Sequence, residues 1–310
     1  MNNRCLSCQT IELESVLHES YHTRCSRNLF GTTEPPKVPF STADVSREAQ
    51  KMVGKMSISG VQPKLSVVHD RKKHQLMVVE RAGLYILKPP TERFESLPQN
   101  ENLCMNIASV YGIGVPSHGL LPLMDARLAY VVKRFDRLED GSKLQQEDSQ
   151  QLLQTDDKYS GSYERIANFI KKYSDVTGLD LIRLFERALL YYSLGNGDAH
   201  LKNFSLIRRK EVGYQLSPAY DIISSRLVLP EEKEDMCLSL HGKKNRLSRG
   251  DFIKLSDHFG LTRKQSDNSF TRLNELKPTI EKMVAESFLS QHLKDRFLEI
   301  FRQRMKRIFG

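Results

Sequence analysis

In the first half of the chain, short apolar runs alternate with turn residues and charged clusters. Runs rich in β-branched and aromatic residues, bounded by Gly, Pro or charged groups, are typical of strands. The pattern predicts strands at 64–68, 75–79, 84–88 and 128–135. A helix is predicted over 101–111, because its apolar residues recur at helical spacing and Gly112 follows as a stop signal.

From about residue 147 onward, the hydrophobic pattern changes to longer segments with helical periodicity. Helices are predicted at 163–173, 179–194, 249–259, 276–289 and 291–308. The last of these carries an apolar stripe, which is the pattern of a packing face, formed by Leu293, Phe297, Ile300, Phe301, Met305 and Ile308. The predicted fold class is therefore α+β, with a small β-rich lobe followed by a larger, mainly α lobe.

The expected domain boundaries follow this change of pattern. We expect a short N-terminal segment at 1–50, a small β-rich lobe at 51–138 and a helical lobe at 139–310. The boundary falls near 136–143, where Asp, Gly, Ser and Lys gather after a predicted strand.

Composition narrows the class of protein. A chain of 310 residues with 39% hydrophobic content can bury a substantial core. The sequence lacks a long unbroken apolar run and an apolar leader, so a cytoplasmic location without membrane insertion is expected. Five cysteines, an odd number, do not favour a disulfide framework. The net charge of +9 fits a nucleic-acid or acidic partner, but solvated faces give the same pattern, so charge decides nothing.

The strongest chemical motif is the segment 195–203, Gly-Asn-Gly-Asp-Ala-His-Leu-Lys-Asn. Phosphoryl transfer to a hydroxyl needs a carboxylate to accept the hydroxyl proton and oxygen ligands that hold Mg²⁺ against the phosphates. Asp198 and Asn203 fit these two roles, and Asp221, after a further apolar run, fits a second Mg²⁺ ligand. The alternative is that Asp198 and Asn203 only cap a turn.

Upstream residues appear in the order that a kinase requires. Lys88 ends an apolar strand, where its ammonium group can pair with the α- and β-phosphates of ATP, and Glu101 on the next helix can hold that ammonium group. The small-residue loop 57–64 can cover phosphates with backbone N–H groups, although it carries one glycine and matches no standard phosphate-loop motif.

Taken in order, these residues resemble the HipA family of bacterial kinases from about residue 52 to the C-terminus. The resemblance implies a two-lobed, protein-kinase-like fold and ATP- and Mg²⁺-dependent phosphorylation of serine or threonine. The substrates implied are aminoacyl-tRNA synthetases, whose loss of activity stops growth. By motif, Asp198 is then the catalytic base, Asn203 and Asp221 are the Mg²⁺ ligands, and Lys88 binds phosphate.

The resemblance also assigns the nucleotide-binding and modification sites. The strand 130–135 becomes the hinge that holds adenine through backbone bonds. Further nucleotide-binding candidates are Ser59, Gly60, Val61, Gln62, Lys64, Lys133, Phe135, His200 and Lys202. The family loop carries an autophosphorylated serine, which here is Ser57 or Ser59. One departure from ordinary protein kinases is that His200, and not a lysine, lies two residues after Asp198, while Lys202 lies four residues after it.

The short region before the phosphate loop narrows the resemblance. Only 56 residues precede Ser57, fewer than in full-length HipA-type kinases, so an N-terminal subdomain is expected to be absent. This length is similar to that of the HipT kinases of three-gene HipBST toxin–antitoxin modules. The implied partners are a HipS-like small antitoxin and a HipB-like DNA-binding protein, with DNA contacted only through the complex. We expect the missing subdomain to leave strand edges uncovered for the small partner.

The N-terminal segment contains a separate set of metal-ligand residue types. Cys5-x2-Cys8 is followed by His22-x2-Cys25, a spacing that suits a tetrahedral structural Zn²⁺ site. The alternative is a group of free thiols in a reducing compartment.

Two other functions fit parts of the same pattern. Small-molecule phosphotransferases of the aminoglycoside-kinase type also carry Asp-x4-Asn followed by a second Asp, so a non-protein acceptor is the main alternative. A basic binding module or pseudokinase would keep the fold without catalysis, but every expected catalytic residue is present.

Overall fold

The computed structural model describes residues 4–11, 17–18, 20–53 and 62–310. The chain divides into two compact units. The first unit comprises Met1–Leu103, Pro116–Lys143 and Glu286–Leu289, and the second comprises Cys104–Val115, Leu144–Ala285 and Ser290–Gly310.

The first unit is built on a five-stranded antiparallel sheet with strand order β4-β3-β5-β7-β6. Its elements, in chain order, are β1 (Leu17–His18), β2 (Tyr21–His22), α1 (Thr23–Phe30), α2 (Thr42–Val53), β3 (Leu65–Asp70), β4 (Gln75–Val78), β5 (Tyr85–Lys88), α3 (Leu97–Tyr111), β6 (His118–Pro122) and β7 (Leu128–Lys133). The strands β3, β4, β5 and β7 and the helix α3, which continues into the second unit, confirm the sequence predictions. The strand β6 was not predicted.

Both edges of this sheet are partly covered by segments that precede the phosphate loop. At the β6 edge, the Leu120 N–H donates to the Leu6 carbonyl at 3.0 Å. At the β4 edge, the Leu76 N–H donates to the Lys37 carbonyl at 2.8 Å, and Lys37 forms a parallel bridge with Gln75. The expectation of uncovered strand edges is therefore wrong at these positions, because the residues before the predicted phosphate loop satisfy edge hydrogen-bonding groups there.

The second unit is mainly α-helical and carries a small antiparallel sheet of order β10-β9-β8. Its elements are β8 (Gln146–Asp148), α4 (Ser149–Leu152), α5 (Tyr163–Tyr173), α6 (Thr177–Leu194), a 3₁₀ turn (Leu201–Asn203), β9 (Ser205–Arg209), β10 (Gly213–Leu216), α7 (Ser225–Val228), α8 (Arg249–Phe259), α9 (Arg263–Glu275), α10 (Lys277–Glu286) and α11 (Gln291–Phe309). The predicted helices are confirmed with small shifts at their ends, and α9 was not predicted. The α+β fold class is confirmed.

Helix α6 forms the centre of the second unit. Its residues from Leu184 to Leu194 are all buried, and α5, α8, α9 and α11 pack around it. The stripe predicted on α11 is a packing face, because Leu293, Phe297, Phe301, Met305 and Ile308 are buried. None of the helices that the structure describes is long and apolar enough to cross a membrane.

Candidate active site

A buried ion pair joins the last residue of β5 to α3. The Lys88 Nζ lies 2.6 Å from the Glu101 Oε1, and the two side chains are only 4% and 2% exposed. The ammonium group also lies 5.4 Å from the centre of the Tyr130 ring on β7. Burying a charge is costly unless it is paired, so the strand end and the helix are held together by this contact. The pairing expected from the order of residues along the chain is present.

The end of the predicted phosphate loop is attached to the same strand. The Gln62 Nε2 donates to the carbonyl of Pro89, the residue after Lys88, at 2.8 Å. Lys64, just before β3, is exposed to solvent. The remaining candidates of this loop lie outside the described residues, namely Ser57, Ser59, Gly60 and Val61.

The predicted hinge lies at the end of β7, a strand with neighbours on both sides. The Lys133 N–H donates to the Ser117 carbonyl and the Arg134 N–H donates to the Leu84 carbonyl, both at 2.8 Å. The Lys133 ammonium group contacts the Glu139 carboxylate at 2.7 Å. These two backbone N–H groups therefore already have partners within the first unit, and Phe135 follows them, half-buried.

In the second unit, Asp198 lies in the loop that follows α6. The helix ends at Gly195, whose left-handed backbone (φ 70°) turns the chain sharply. The Gly197 N–H donates to the Ser225 Oγ at 2.8 Å, and that hydroxyl donates to the Glu232 carboxylate at 2.8 Å. The Asp198 side chain is exposed. The backbone of the loop is thus fixed by Ser225 and Glu232, while the side chain of the candidate base is exposed to solvent.

The charge of Asp198 affects two neighbouring acids. Burial raises the pKa of Glu232, and the Asp198 carboxylate raises it further. Burial, together with Asp198, raises the pKa of the Cys237 thiol to about 12. Glu232 is a carboxylate beside the motif that sequence reasoning missed, because it lies 34 positions beyond Asp198 in an acidic loop without a motif of its own.

Asn203 closes the 3₁₀ turn Leu201–Asn203. Its Oδ1 accepts the His200 N–H at 3.0 Å, which fixes the amide plane, and an amide oxygen has a second lone pair for another ligand. The His200 ring packs edge-on against Tyr159, with ring centres 5.6 Å apart. Lys202 is half-buried in the same turn.

Asp221 follows β10 and has a strained backbone. Its φ of 56° lies in the left-handed region, which is unusual for a residue with a side chain and is often found at functional sites. The neighbouring Tyr220 hydroxyl donates to the Lys202 carbonyl at 2.6 Å and lies 2.5 Å from the Ser205 Oγ. Burial raises the pKa of this hydroxyl, so it stays a donor. Tyr220, also missed from sequence, thus ties the Asp221 segment to the turn that ends at Asn203.

These contacts fit the expected Mg²⁺ ligands. A carboxylate and an amide oxygen are hard donors of the kind that Mg²⁺ prefers. Both belong to segments that are tied together by the Tyr220 hydroxyl, and the amide is oriented by a backbone N–H. The donor set and its support are therefore suitable for this ion.

The four N-terminal candidates for metal ligands also lie together. The ligand atoms of Cys5, Cys8, His22 and Cys25 are all within 4.8 Å of one another. Hydrogen bonds from Cys25 and Cys5 lower the pKa of the Cys8 thiol, and hydrogen bonds with Cys5 and Cys8 raise the pKa of the Cys25 thiol.

Comparison with proteins of known sequence gives consistent matches. The model of the HipA-like C-terminal domain matches residues 56–285. A putative kinase of Haemophilus influenzae is 30% identical over 300 residues, which are 87% of each chain. The serine/threonine-protein kinase toxin HipA of Shewanella oneidensis is 26% identical over 243 residues, which are 71% of this chain and 55% of that protein.

Comparison with solved structures gives the fold. HipA from the Shewanella oneidensis complex of HipA, HipB and operator DNA matches with a TM-score of 0.71 and 19% identity, over 88% of this chain and 72% of that one. The Helicobacter pylori proinflammatory kinase CtkA matches with a TM-score of 0.53 and 16% identity, over 72% of this chain and 87% of that one. The fold is therefore kinase-like, of the HipA type. The chain belongs to the HipA-like C-terminal domain family.

Proposed function

We propose that this protein is an ATP-dependent serine/threonine protein kinase that acts as the toxin of a toxin–antitoxin system. The observation that carries the proposal is the buried ion pair between Lys88 and Glu101. Lys88 is therefore not a lysine that is simply solvated at a strand end, because its ammonium group is buried and paired with a buried carboxylate on the next helix. Protein kinases use this pairing to position the lysine that binds the ATP phosphates.

The second unit supplies the groups for the transfer step. Asp198, exposed on a fixed loop, orients the acceptor hydroxyl and accepts its proton. Asn203 and Asp221 would hold Mg²⁺, which would neutralise charge on the phosphates when bound. Glu232 and Ser225 act through the backbone of the loop and keep Asp198 in place.

The first unit supplies the phosphate-covering loop, the phosphate-binding lysine and the adenine contacts in this proposal. Residues 51–138 form the ATP-binding lobe and 139–310 the lobe with the catalytic loop. The loop 57–64 covers the phosphates, Lys88 pairs with them, and the end of β7 lies along adenine. The nucleotide-binding residues are proposed to be Ser59, Gly60, Val61, Gln62, Lys64, Lys88, Lys133, Phe135, His200, Lys202, Asn203 and Asp221.

The proposed substrate class is the aminoacyl-tRNA synthetases, as the family resemblance implies. Incubating the purified chain with ATP, Mg²⁺ and a panel of purified synthetases tests this directly by intact-protein mass spectrometry. We expect one synthetase to gain phosphate on a serine or threonine and to lose tRNA charging. If no synthetase is modified while another protein is, the substrate class is wrong and the kinase assignment stands.

The proposed control is by a HipS-like small antitoxin, as in the HipBST modules, with a HipB-like protein that links the complex to DNA. The support is the family resemblance alone, because the partly covered sheet edges give no argument for a docking surface. We expect co-expression of the small protein alone to restore growth and to yield a complex with a stable interface of roughly 1,600 Å². Rescue only by the DNA-binding protein, with no such complex, would contradict this assignment.

Autophosphorylation is proposed in the phosphate-covering loop, at Ser57 or Ser59. A phosphate group there adds about −1.5 to −2 charges, which oppose the phosphates of ATP and lower activity. Mass spectrometry is expected to find phosphate on this loop in the wild-type protein and none in an Asp198→Gln variant. Phosphate confined to other segments would count against the idea.

A further inference from the structure

The N-terminal Cys/His cluster has the spacing of a tetrahedral metal site. The His22 Nδ1 lies 3.4 Å from the Cys8 Sγ and 4.0 Å from the Cys25 Sγ. Around a Zn²⁺ ion with Zn–S bonds of about 2.3 Å, neighbouring ligand atoms in a tetrahedron are roughly 3.5–3.8 Å apart. The observed distances bracket this value, so an ion can enter with small side-chain movements.

The ligands are also presented in the way that such sites require. Cys5 and His22 are fully buried, and Cys8 and Cys25 are half-buried. The His22 backbone N–H points at the Cys5 Sγ at 3.4 Å, a contact that stabilises a thiolate. A disulfide would use only two of the three cysteines, whereas a tetrahedral Cys₃His site uses all three together with the imidazole.

The residues between the first two cysteines attach the cluster to the edge of the sheet. Leu6 accepts the Leu120 N–H at 3.0 Å, and the Ser7 Oγ donates to the His118 carbonyl at 2.8 Å. From the other half of the cluster, the Tyr21 hydroxyl donates to the Leu120 carbonyl at 2.8 Å. Both halves of the cluster are therefore bound to the same strand, β6.

The cluster is also connected to the helix that carries the buried ion pair. The Asn102 Nδ2 contacts the carbonyls of Leu6 and Ser7, at 3.4 and 3.3 Å. Asn102 is the next residue after Glu101, and its Oδ1 lies 2.9 Å from the His118 Nδ1 on β6. The loop between Cys5 and Cys8 is thus held by a strand and a helix at once.

We propose that Cys5, Cys8, His22 and Cys25 bind one structural Zn²⁺ ion, which fastens the N-terminal segment onto β6 and the first turns of α3. All four protein positions are filled, so the ion has no open position for chemistry and its role is to hold the fold. The inference stands on the cluster alone and does not depend on the kinase activity.

The test is metal analysis of protein purified without chelators. We expect about one zinc per chain in the wild type, and at least a tenfold loss in the Cys8→Ser variant. Cys8→His replaces one ligand by another and is expected to keep most of the zinc. Cys237→Ser, a matched change of a cysteine in the second unit, is expected to leave the zinc content unchanged.

A second measurement covers the case in which Cys8→Ser fails to fold. Zinc is removed from the wild-type protein by a chelator and replaced by Co²⁺, whose visible absorption reports tetrahedral thiolate coordination. We expect this absorption, together with lower hydrogen-exchange protection of β6 and α3 in the metal-free protein than in the zinc-bound protein. A folded wild-type protein that carries no zinc and takes up no Co²⁺, or whose mass shows a disulfide among these cysteines, would overturn the proposal.

Discussion

Replacing Asp198 by Gln is expected to lower the rate of phosphate transfer by about 10²–10⁴-fold, the usual contribution of a positioned general base. The variant keeps a polar side chain, but its amide is uncharged and cannot accept the hydroxyl proton. ATP affinity is expected to change little, because Lys88 and the proposed Mg²⁺ ligands are intact. The measurements are the transfer rate under saturating ATP and the dissociation constant for ATP by calorimetry.

A matched control is available on the same unit. Asp257, on α8, is also exposed, and Asp257→Gln is expected to leave the transfer rate within a factor of about two, as for a surface substitution. Growth arrest should follow the same pattern, lost with Asp198→Gln and kept with Asp257→Gln. Near wild-type transfer by Asp198→Gln would show that another group is the base.

Replacing Lys88 by Met is expected to have two separate effects. Stability falls by about 3–5 kcal/mol, because the Glu101 carboxylate is left buried without its counter-charge. Transfer activity falls as well, because the ammonium group proposed to pair with the phosphates is gone. Chemical denaturation and a transfer assay on the folded fraction measure the two effects independently.

The double variant Lys88→Met, Glu101→Leu separates the structural role from the functional one. Replacing both partners of a buried ion pair by apolar residues is often neutral for stability. We therefore expect recovery of most of the lost stability but no recovery of activity. If the double variant were stable and active, the ion pair would be a packing device and its proposed place in nucleotide binding would be wrong.

Strands and helices with strong hydrophobic periodicity could be predicted from the sequence. Elements that depend on tertiary contacts, or that are too polar to show periodicity, could not. Strand β6 contains Gly119, a residue that weakens strand propensity, yet a Cβ there would lie 2.4 Å from the Tyr21 hydroxyl. The glycine is needed for a tertiary contact that has no local pattern. Helix α9 is too polar for a periodicity signal, although Thr262 and Gln265 form a capping box that marks its start.

The candidate site shows the same division. Residues within one motif, such as Asp198 and Asn203, could be chosen as candidates because the spacing that the chemistry requires is local. Glu232 and Tyr220 were not predicted, because their contacts, with Ser225 and Lys202 respectively, follow no sequence motif. The pairing of Lys88 with Glu101 was predictable only from the order of elements along the chain.

Transfer of label from [γ-³²P]ATP in a cell extract incubated with the purified chain and Mg²⁺ distinguishes a protein kinase from the other two functions. We expect labelled protein, with phosphoserine or phosphothreonine after acid hydrolysis, and a strongly reduced yield with the Asp198→Gln variant. Label found only in small molecules would indicate a phosphotransferase of the aminoglycoside-kinase type. That result, or the absence of any transfer by the wild-type chain, would contradict the assignment as a protein kinase.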